Sequence, residues 1–187
     1  MNGIFMPHRR FEDGIEALKI LQEKGFKAKL TIAGDTQGNF SYYQLIKSLV
    51  GRLNLETDVN FLGLVSEKTL LETYFSNDIF IFPNHLQSWG LAVFEAMATG
   101  LPVIVSKSAG ASEVLKHREN ALLVEPKSPG ELAAAIDKLI DNPDLYSALS
   151  AAGRRFVEEE ISWSRIARIM QEIFSAQLRE TAKAQHE

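Results

Sequence analysis

Two patterns of hydrophobic and polar positions take turns along this chain. Short runs dense in apolar and β-branched residues occur at Gly3–Pro7, Ala28–Ala33, Val59–Leu62, Asp78–Phe82, Val103–Val105 and Asn120–Pro126. Runs this short read as strands, and the near-continuous apolar character of Asp78–Phe82 is that of a strand covered on both faces. Between them, apolar residues recur at helical spacing. One set is Phe11, Ile15, Leu18 and Leu21, and another is Tyr42, Leu45, Leu49 and Leu53. Ser66 is a good N-cap for a helix through Phe75, and Leu91–Ala98 reads as a short helix. Ser128-Pro129-Gly130-Glu131 has the form of a capping box opening a helix to Ile140, and Asn142-Pro143 opens another. A last helix from Ser162 carries Ile166, Ile169, Ile173 and Phe174 on one stripe, before a wholly polar stretch from Arg179 to Glu187 that is expected to fray. This alternation predicts one α/β domain over residues 1–187, a doubly wound, mostly parallel sheet of about six strands with helices on both faces. Gly3–Pro7 reads as the tail of a truncated first strand. There is no internal repeat, linker or low-complexity tract.

The stretch from Phe82 to Val105 is the chemical centre of the pattern. A buried strand ends at Pro83, a loop runs from Asn84 to Gly90, a helix starts at Leu91, and a Gly100-Leu101-Pro102 turn leads into a second buried strand. In an open parallel sheet, ligands bind in the crevice at the carboxyl ends of the strands, where this loop lies. The first amides of a helix lack intrahelical partners and, with the helix dipole, favour an anion such as phosphate. Gly90 has no Cβ to obstruct its approach. Glu95 follows roughly 6 Å along the helix axis. Helical side chains tilt toward the N-terminus, so its carboxylate leans back to the same crevice, suited to accepting from hydroxyls.

These residues resemble the donor-binding motif of retaining GT-B glycosyltransferases of the large group-1 family. That motif has two glutamates separated by seven residues, then Ala-Met-Ala, a small residue, Gly, any residue and Pro-Val-Ile. Here Glu95 is the second glutamate and Ala96-Met97-Ala98-Thr99-Gly100-Leu101-Pro102-Val103-Ile104 follows it. The first glutamate position holds Gln87, which keeps a hydrogen-bond acceptor but loses the charge. The resemblance implies a Rossmann-like donor domain in which Glu95 binds ribose hydroxyls, and Gln87, Ser88, Trp89, Gly90 and Leu91 line the donor. In the family an arginine and, five residues on, a lysine grip the diphosphate. That register puts His8 and Asp13 at the two positions, with Gly14 after them, while Arg9 and Arg10 in the same loop are the alternative source of charge or plain surface arginines. The family also places glycine-rich strand ends around the nucleotide base, which makes Gly34 and the Gly63-Leu64-Val65 turn candidate base contacts. Ordinary turn chemistry is the competing reading of Gly34. Ala109-Gly110 and Glu113 stand where the family usually has two adjacent glycines and a glutamate.

Composition adds mostly exclusions. A formal net charge of −4 argues against a nucleic-acid surface, so an anion must be attracted by local geometry. With no cysteine there is no disulfide or thiolate metal site, which fits a reducing, cytoplasmic setting. No apolar run reaches the roughly 20 residues of a membrane span. The four histidines are scattered and no carboxylate pair has ligand spacing. Glu12-Asp13 beside Arg9-Arg10 reads as a charge cluster at a helix start, and His85 as a solvated loop histidine. Trp89 either shapes the pocket or anchors the loop. No metal or cofactor is expected, as in the resembled family.

The resemblance therefore implies the C-terminal half of a transferase that moves a hexose of mannose or glucose type from a UDP- or GDP-sugar to an unidentified acceptor, with retention. The missing partner is an N-terminal acceptor-binding half, and a peripheral acceptor lipid at the inner face of a membrane stays open. The alternatives are a non-catalytic nucleotide-sugar-binding module and another GT-B activity such as a sugar-nucleotide epimerase. The isolated half is expected to bind nucleotide weakly and to be inactive.

Overall fold

The computed structural model describes residues 1–86 and 89–184. In chain order it has α1 (Phe11–Glu23), β1 (Leu30–Ala33), α2 (Phe40–Arg52), β2 (Val59–Gly63), α3 (Glu67–Phe75), β3 (Phe80–Phe82), α4 (Leu91–Ala98), β4 (Val103–Ser106), β5 (Leu122–Val124), α5 (Pro129–Asp141), α6 (Pro143–Glu160) and α7 (Trp163–Ala184). One-turn 3₁₀ helices occupy Pro7–Arg9 and Gly110–Glu113. Every pairing is parallel: β1 with β2, and β3-β4-β5 in that order.

Among the described residues five strands form where about six are expected. The run read as Gly3–Pro7 is shifted toward the N-terminus: Met1–Phe5 lies along β1, and Pro7 already opens a 3₁₀ turn. Gly3 N–H donates to Ala33 O (2.9 Å), Ala33 N–H to Met1 O (3.1 Å) and Phe5 N–H to Asp35 O (2.9 Å). Only Asn2 and Ala33 make a formal bridge, so the segment is a short extended strip and not a full strand.

Side chains of successive strand residues point to opposite faces, and the core divides accordingly. Ile81 and Ile104 join one apolar cluster with Phe11, Ile15 and Leu21 of α1, Ile46 of α2 and Leu132 and Leu139 of α5. Phe80, Phe82, Val103 and Val105 join the other, with Val93, Phe94 and Met97 of α4. Helices therefore cover both faces of β3 and β4, all of whose residues are buried. Fully burying an apolar side chain of this size contributes about 1.5–3 kcal/mol, so each face is held by many such terms.

Local signals mostly act as read from the sequence. Ser66 accepts from Thr69 N–H (3.2 Å), and Asn142 Oδ1 from Leu145 N–H (2.9 Å). Two details differ. Leu45 is 56% exposed, because α2 turns Tyr42, Ile46, Leu49 and Val50 inward instead. Ser128 makes no side-chain cap, while Glu131 Oε2 accepts from Glu125 N–H (3.0 Å) and ties the end of β5 to α5. The stripe on α7 is exposed, with Trp163 85% and Phe174 59% accessible, and the helix continues through Ala184.

Candidate functional site

The carboxyl ends of β1 and β2 meet beside Gly3. β1 ends beside Gly34, whose N–H donates to Gly63 O (2.8 Å) at the end of β2. A Cβ on Gly34 would stand 1.8 Å from Gly3 O, so glycine at 34 is required by the close passage of the Met1–Phe5 strip. Gly63 has φ 67°, and the turn it opens leaves Leu64 82% exposed at the rim with Val65 half-buried beside it.

On the other side of Gly3, the Arg9 guanidinium packs so closely that a Cβ on Gly3 would lie 2.8 Å from its Cζ. Asn84, 2% exposed, donates to Arg9 O (3.2 Å) and accepts from Arg9 Nη1 (3.0 Å) through its carboxamide. His85 N–H donates to His8 O (2.7 Å), so the loop after β3 is stitched to the segment that carries the arginines. Among the described residues Arg9 pairs with no carboxylate, and its buried Nε has no partner. Burial lowers its pKa from the ordinary arginine value.

Arg10 has a different fate. It binds Asp13 through Nη2 (2.6 Å) and Nε (3.1 Å), and Glu12 through Nη1 (2.7 Å). Burial alone would lower its pKa, but the hydrogen bond to Asp13 and the charges of Glu12 and Asp13 raise it. The cluster read as a charge cluster at a helix start is partly internal, since Asp13 is 1% exposed. Its charge is spent within the protein, and of the two arginines only Arg9 keeps an uncompensated one.

Gly90 (φ 100°) is the N-terminal cap residue of α4, with no side-chain cap and no acidic residue in the first turn. A Cβ there would meet the Phe82 ring at 2.8 Å, so its lack of a side chain serves packing as well as access. Leu91 is 64% exposed. Trp89 is 38% exposed; its ring stands 5.3 Å from Phe94, and its carbonyl accepts from Ala111 N–H (2.8 Å). Gln87 and Ser88 lie outside the described residues. Ser108 Oγ donates to Asn84 O (3.2 Å) and contacts His85 Nδ1 (3.3 Å) and Ser106 Oγ (3.0 Å), so His85 faces a serine pair at the end of β4.

Glu95 is exposed on α4, one turn in. Its Oε2 accepts from the Tyr74 hydroxyl of α3 (2.9 Å), which in turn accepts from Asn2 Nδ2 (2.7 Å). Burial, the charge of Glu95 and the hydrogen bond to it push the Tyr74 hydroxyl well above the ordinary phenol range, with Asn2 opposing. Neither Tyr74 nor Asn2 carries a motif in the sequence. The one available signal is Leu70 and Tyr74 four residues apart on α3. Among the described residues no group of three or more His, Cys, Asp or Glu is placed to hold a metal.

Gly34 and Arg9 thus pack against Gly3, Gly63 bonds Gly34, and Glu95 is linked to Asn2 through Tyr74, while the α4 N-terminus follows the loop that holds Arg9. A family model for glycosyl transferases group 1 matches residues 2–156. The chain belongs to this family.

As a group 1 glycosyltransferase chain, it is 33% identical over 170 residues to an uncharacterized glycosyltransferase of Methanocaldococcus jannaschii, a match covering 88% of this chain and 42% of that protein. It is 27% identical over 165 residues to the D-inositol 3-phosphate glycosyltransferase of Thermobispora bispora, covering 87% and 38%. The chain therefore spans less than half the length of these relatives. In structure it is similar to the C-terminal domain of a group 1 family glycosyl transferase from Francisella tularensis, with TM-score 0.78, 25% identity, and 87% of this chain and 86% of that one covered. The match to the Anabaena HepE structure in complex with UDP has TM-score 0.82 at 22% identity, covering 94% and 48%. The group 1 chain thus has the Rossmann-like fold of the C-terminal half of a GT-B enzyme.

Proposed function

We propose that this chain is the donor-binding half of a transferase that moves a hexose from a nucleoside diphosphate sugar to an acceptor, with retention at the anomeric carbon. The observation that carries this reading is Glu95. Its carboxylate stands exposed one turn into α4, with Oε2 held by Tyr74 and no described residue donating to Oε1. A carboxylate so placed accepts from ribose hydroxyls and repels phosphates, which directs the diphosphate to the α4 N-terminus and Arg9. Positioning and stabilisation of the leaving diphosphate are then this half's part in the rate. Gly34 and Gly63-Leu64-Val65 border the base, and Gln87 and Ser88 contact the sugar.

Relatives support a glucose or mannose donor on UDP or GDP. HepE structures hold UDP, UDP-glucose, or UDP with glucose, and a Mycobacterium tuberculosis relative, 27% identical, is GDP-mannose-dependent. That relative acts on a phosphatidylinositol monomannoside, which keeps a membrane acceptor lipid within the proposal. No described helix is long and apolar enough to cross a membrane. The acceptor site belongs to an N-terminal half, and a cytoplasmic setting is part of the same proposal. Neither a metal nor a cofactor enters it.

One observation favours a second reading, a nucleotide-sugar-binding module without transfer. Where the family places a phosphate-gripping lysine, Asp13 is buried against Arg10.

Calorimetric titration of the folded domain with UDP, GDP and ADP, free and sugar-linked, tests the proposal. Selective binding to one base, lost in Glu95→Ala, is expected. A folded domain that binds none of them overturns it.

A further inference from the structure

Resting on the donor-binding reading above, we infer that Asn2 and Tyr74 form a directional hydrogen-bond relay that fixes Glu95 as the acceptor for ribose hydroxyls, with Tyr74 the positioning residue. A phenol has one proton and two lone pairs, and a carboxamide NH₂ only donates. The 2.7 Å contact from Asn2 Nδ2 therefore occupies a lone pair of the Tyr74 oxygen. The single hydroxyl proton is left for Glu95 Oε2, 2.9 Å away. Both members that hold the glutamate are fixed. Tyr74 is 6% exposed with its ring 5.8 Å from Phe80 in an edge-on arrangement, and Asn2 is bridged to Ala33 in the sheet.

An exposed glutamate samples many rotamers, and ordering it on a ligand costs conformational entropy. The relay orders it in advance and leaves Oε1 for the incoming hydroxyls. It also links three separate elements, α3, α4 and the Met1–Phe5 strip. The strip's next residue, Gly3, is the one that touches both Gly34 and Arg9. Base, ribose and phosphate contacts are thereby held in register by one segment.

The experiment compares UDP (or GDP, whichever base the wild-type domain selects) with its 2′,3′-dideoxy counterpart, by calorimetry on wild type, Tyr74→Phe and Asn2→Ala. Wild type is expected to prefer the ribonucleotide. Tyr74→Phe should weaken ribonucleotide binding roughly fivefold to tenfold while leaving the dideoxy form unchanged, so that the preference collapses. A merely structural tyrosine would weaken both alike. Asn2→Ala gives the same collapse to a smaller degree and serves if Tyr74→Phe does not fold. Undiminished ribose preference in the folded variants overturns the relay and leaves the donor reading standing. No nucleotide binding by folded wild type overturns both.

Discussion

One guanidinium closes on a carboxylate that has almost no solvent of its own: Arg10 donates to Asp13 through Nη2 (2.6 Å) and Nε (3.1 Å), and Asp13 is 1% exposed. Removing one member of a buried pair leaves the other uncompensated, at a cost of several kcal/mol. Arg10→Met is therefore expected to lose about 3 kcal/mol of stability in urea unfolding, with Asp13→Asn losing less because the amide oxygen still accepts. A loss under about 0.5 kcal/mol for Arg10→Met would place the pair among ordinary surface ion pairs.

Arg9 should behave in the opposite way, through binding and not through stability. It is the neighbouring cation with no carboxylate among the described residues, and it is held by Asn84 beside Gly3. A charge-assisted contact to phosphate is worth about 1.5–3 kcal/mol. Arg9→Gln is thus expected to weaken nucleoside diphosphate binding roughly tenfold to a hundredfold, while binding of the bare nucleoside stays constant. Arg10→Met, where folded, should leave both within about twofold, since its charge is already spent. Equal losses in the two variants would mean that Arg9 is not the phosphate cation.

Gly34 offers a sharp steric test. An alanine Cβ would sit 1.8 Å from Gly3 O at φ 154°, so the Met1–Phe5 strip must move away from β1. Gly25 is the control, with φ 94° and nothing within 4 Å of an added Cβ. Gly25→Ala should cost about 1 kcal/mol for the left-handed backbone alone. Gly34→Ala should cost at least about 3 kcal/mol, and that exceeds Gly25→Ala by the price of the clash. Similar midpoints for the two variants would show that the strip is not tightly held.

The fold was legible in the sequence where its cause is local. Phe11, Ile15, Leu18 and Leu21 all face inward because helical spacing and burial coincide, and Phe80–Phe82 is apolar throughout because both its faces are covered. Gly90 through Ile104 announces itself by residue type and order. What stayed hidden depends on partners distant in the chain. Tyr74 and Glu95 are 21 residues apart, and Asn2 is 72 from Tyr74, with no periodicity to connect them. Asp13 was legible as part of a charge cluster at a helix start, but sequence cannot show that α1 turns it inward against Arg10. Arg9 and Arg10 are chemically identical and adjacent, and only the fold gives one a carboxylate and the other an asparagine.

The buried phenols give the molecule a defined alkaline limit. The hydroxyls of Tyr42 and Tyr74 are raised well above their ordinary value of 10.0, first by burial and then by Glu12 and Glu95 respectively, and Tyr146 is raised less, by burial and Asp78. A raised pKa in the folded state means that the folded protein holds its phenol protons more tightly than the unfolded chain. The stability this contributes is fully present below pH 10.0 and is lost as pH climbs from there toward the folded values. Stability in urea should therefore be level through neutral pH with respect to these groups and fall steeply above pH 10.0. In a spectroscopic titration the phenolate signal of these three tyrosines should lag behind that of the urea-unfolded chain, and most of it should arrive together with unfolding. Tyr74→Phe should remove its share of both the lag and the alkaline fall. Complete, reversible ionisation of all the tyrosines near pH 10.0, with the fold intact, would contradict the burial of the relay's central hydroxyl.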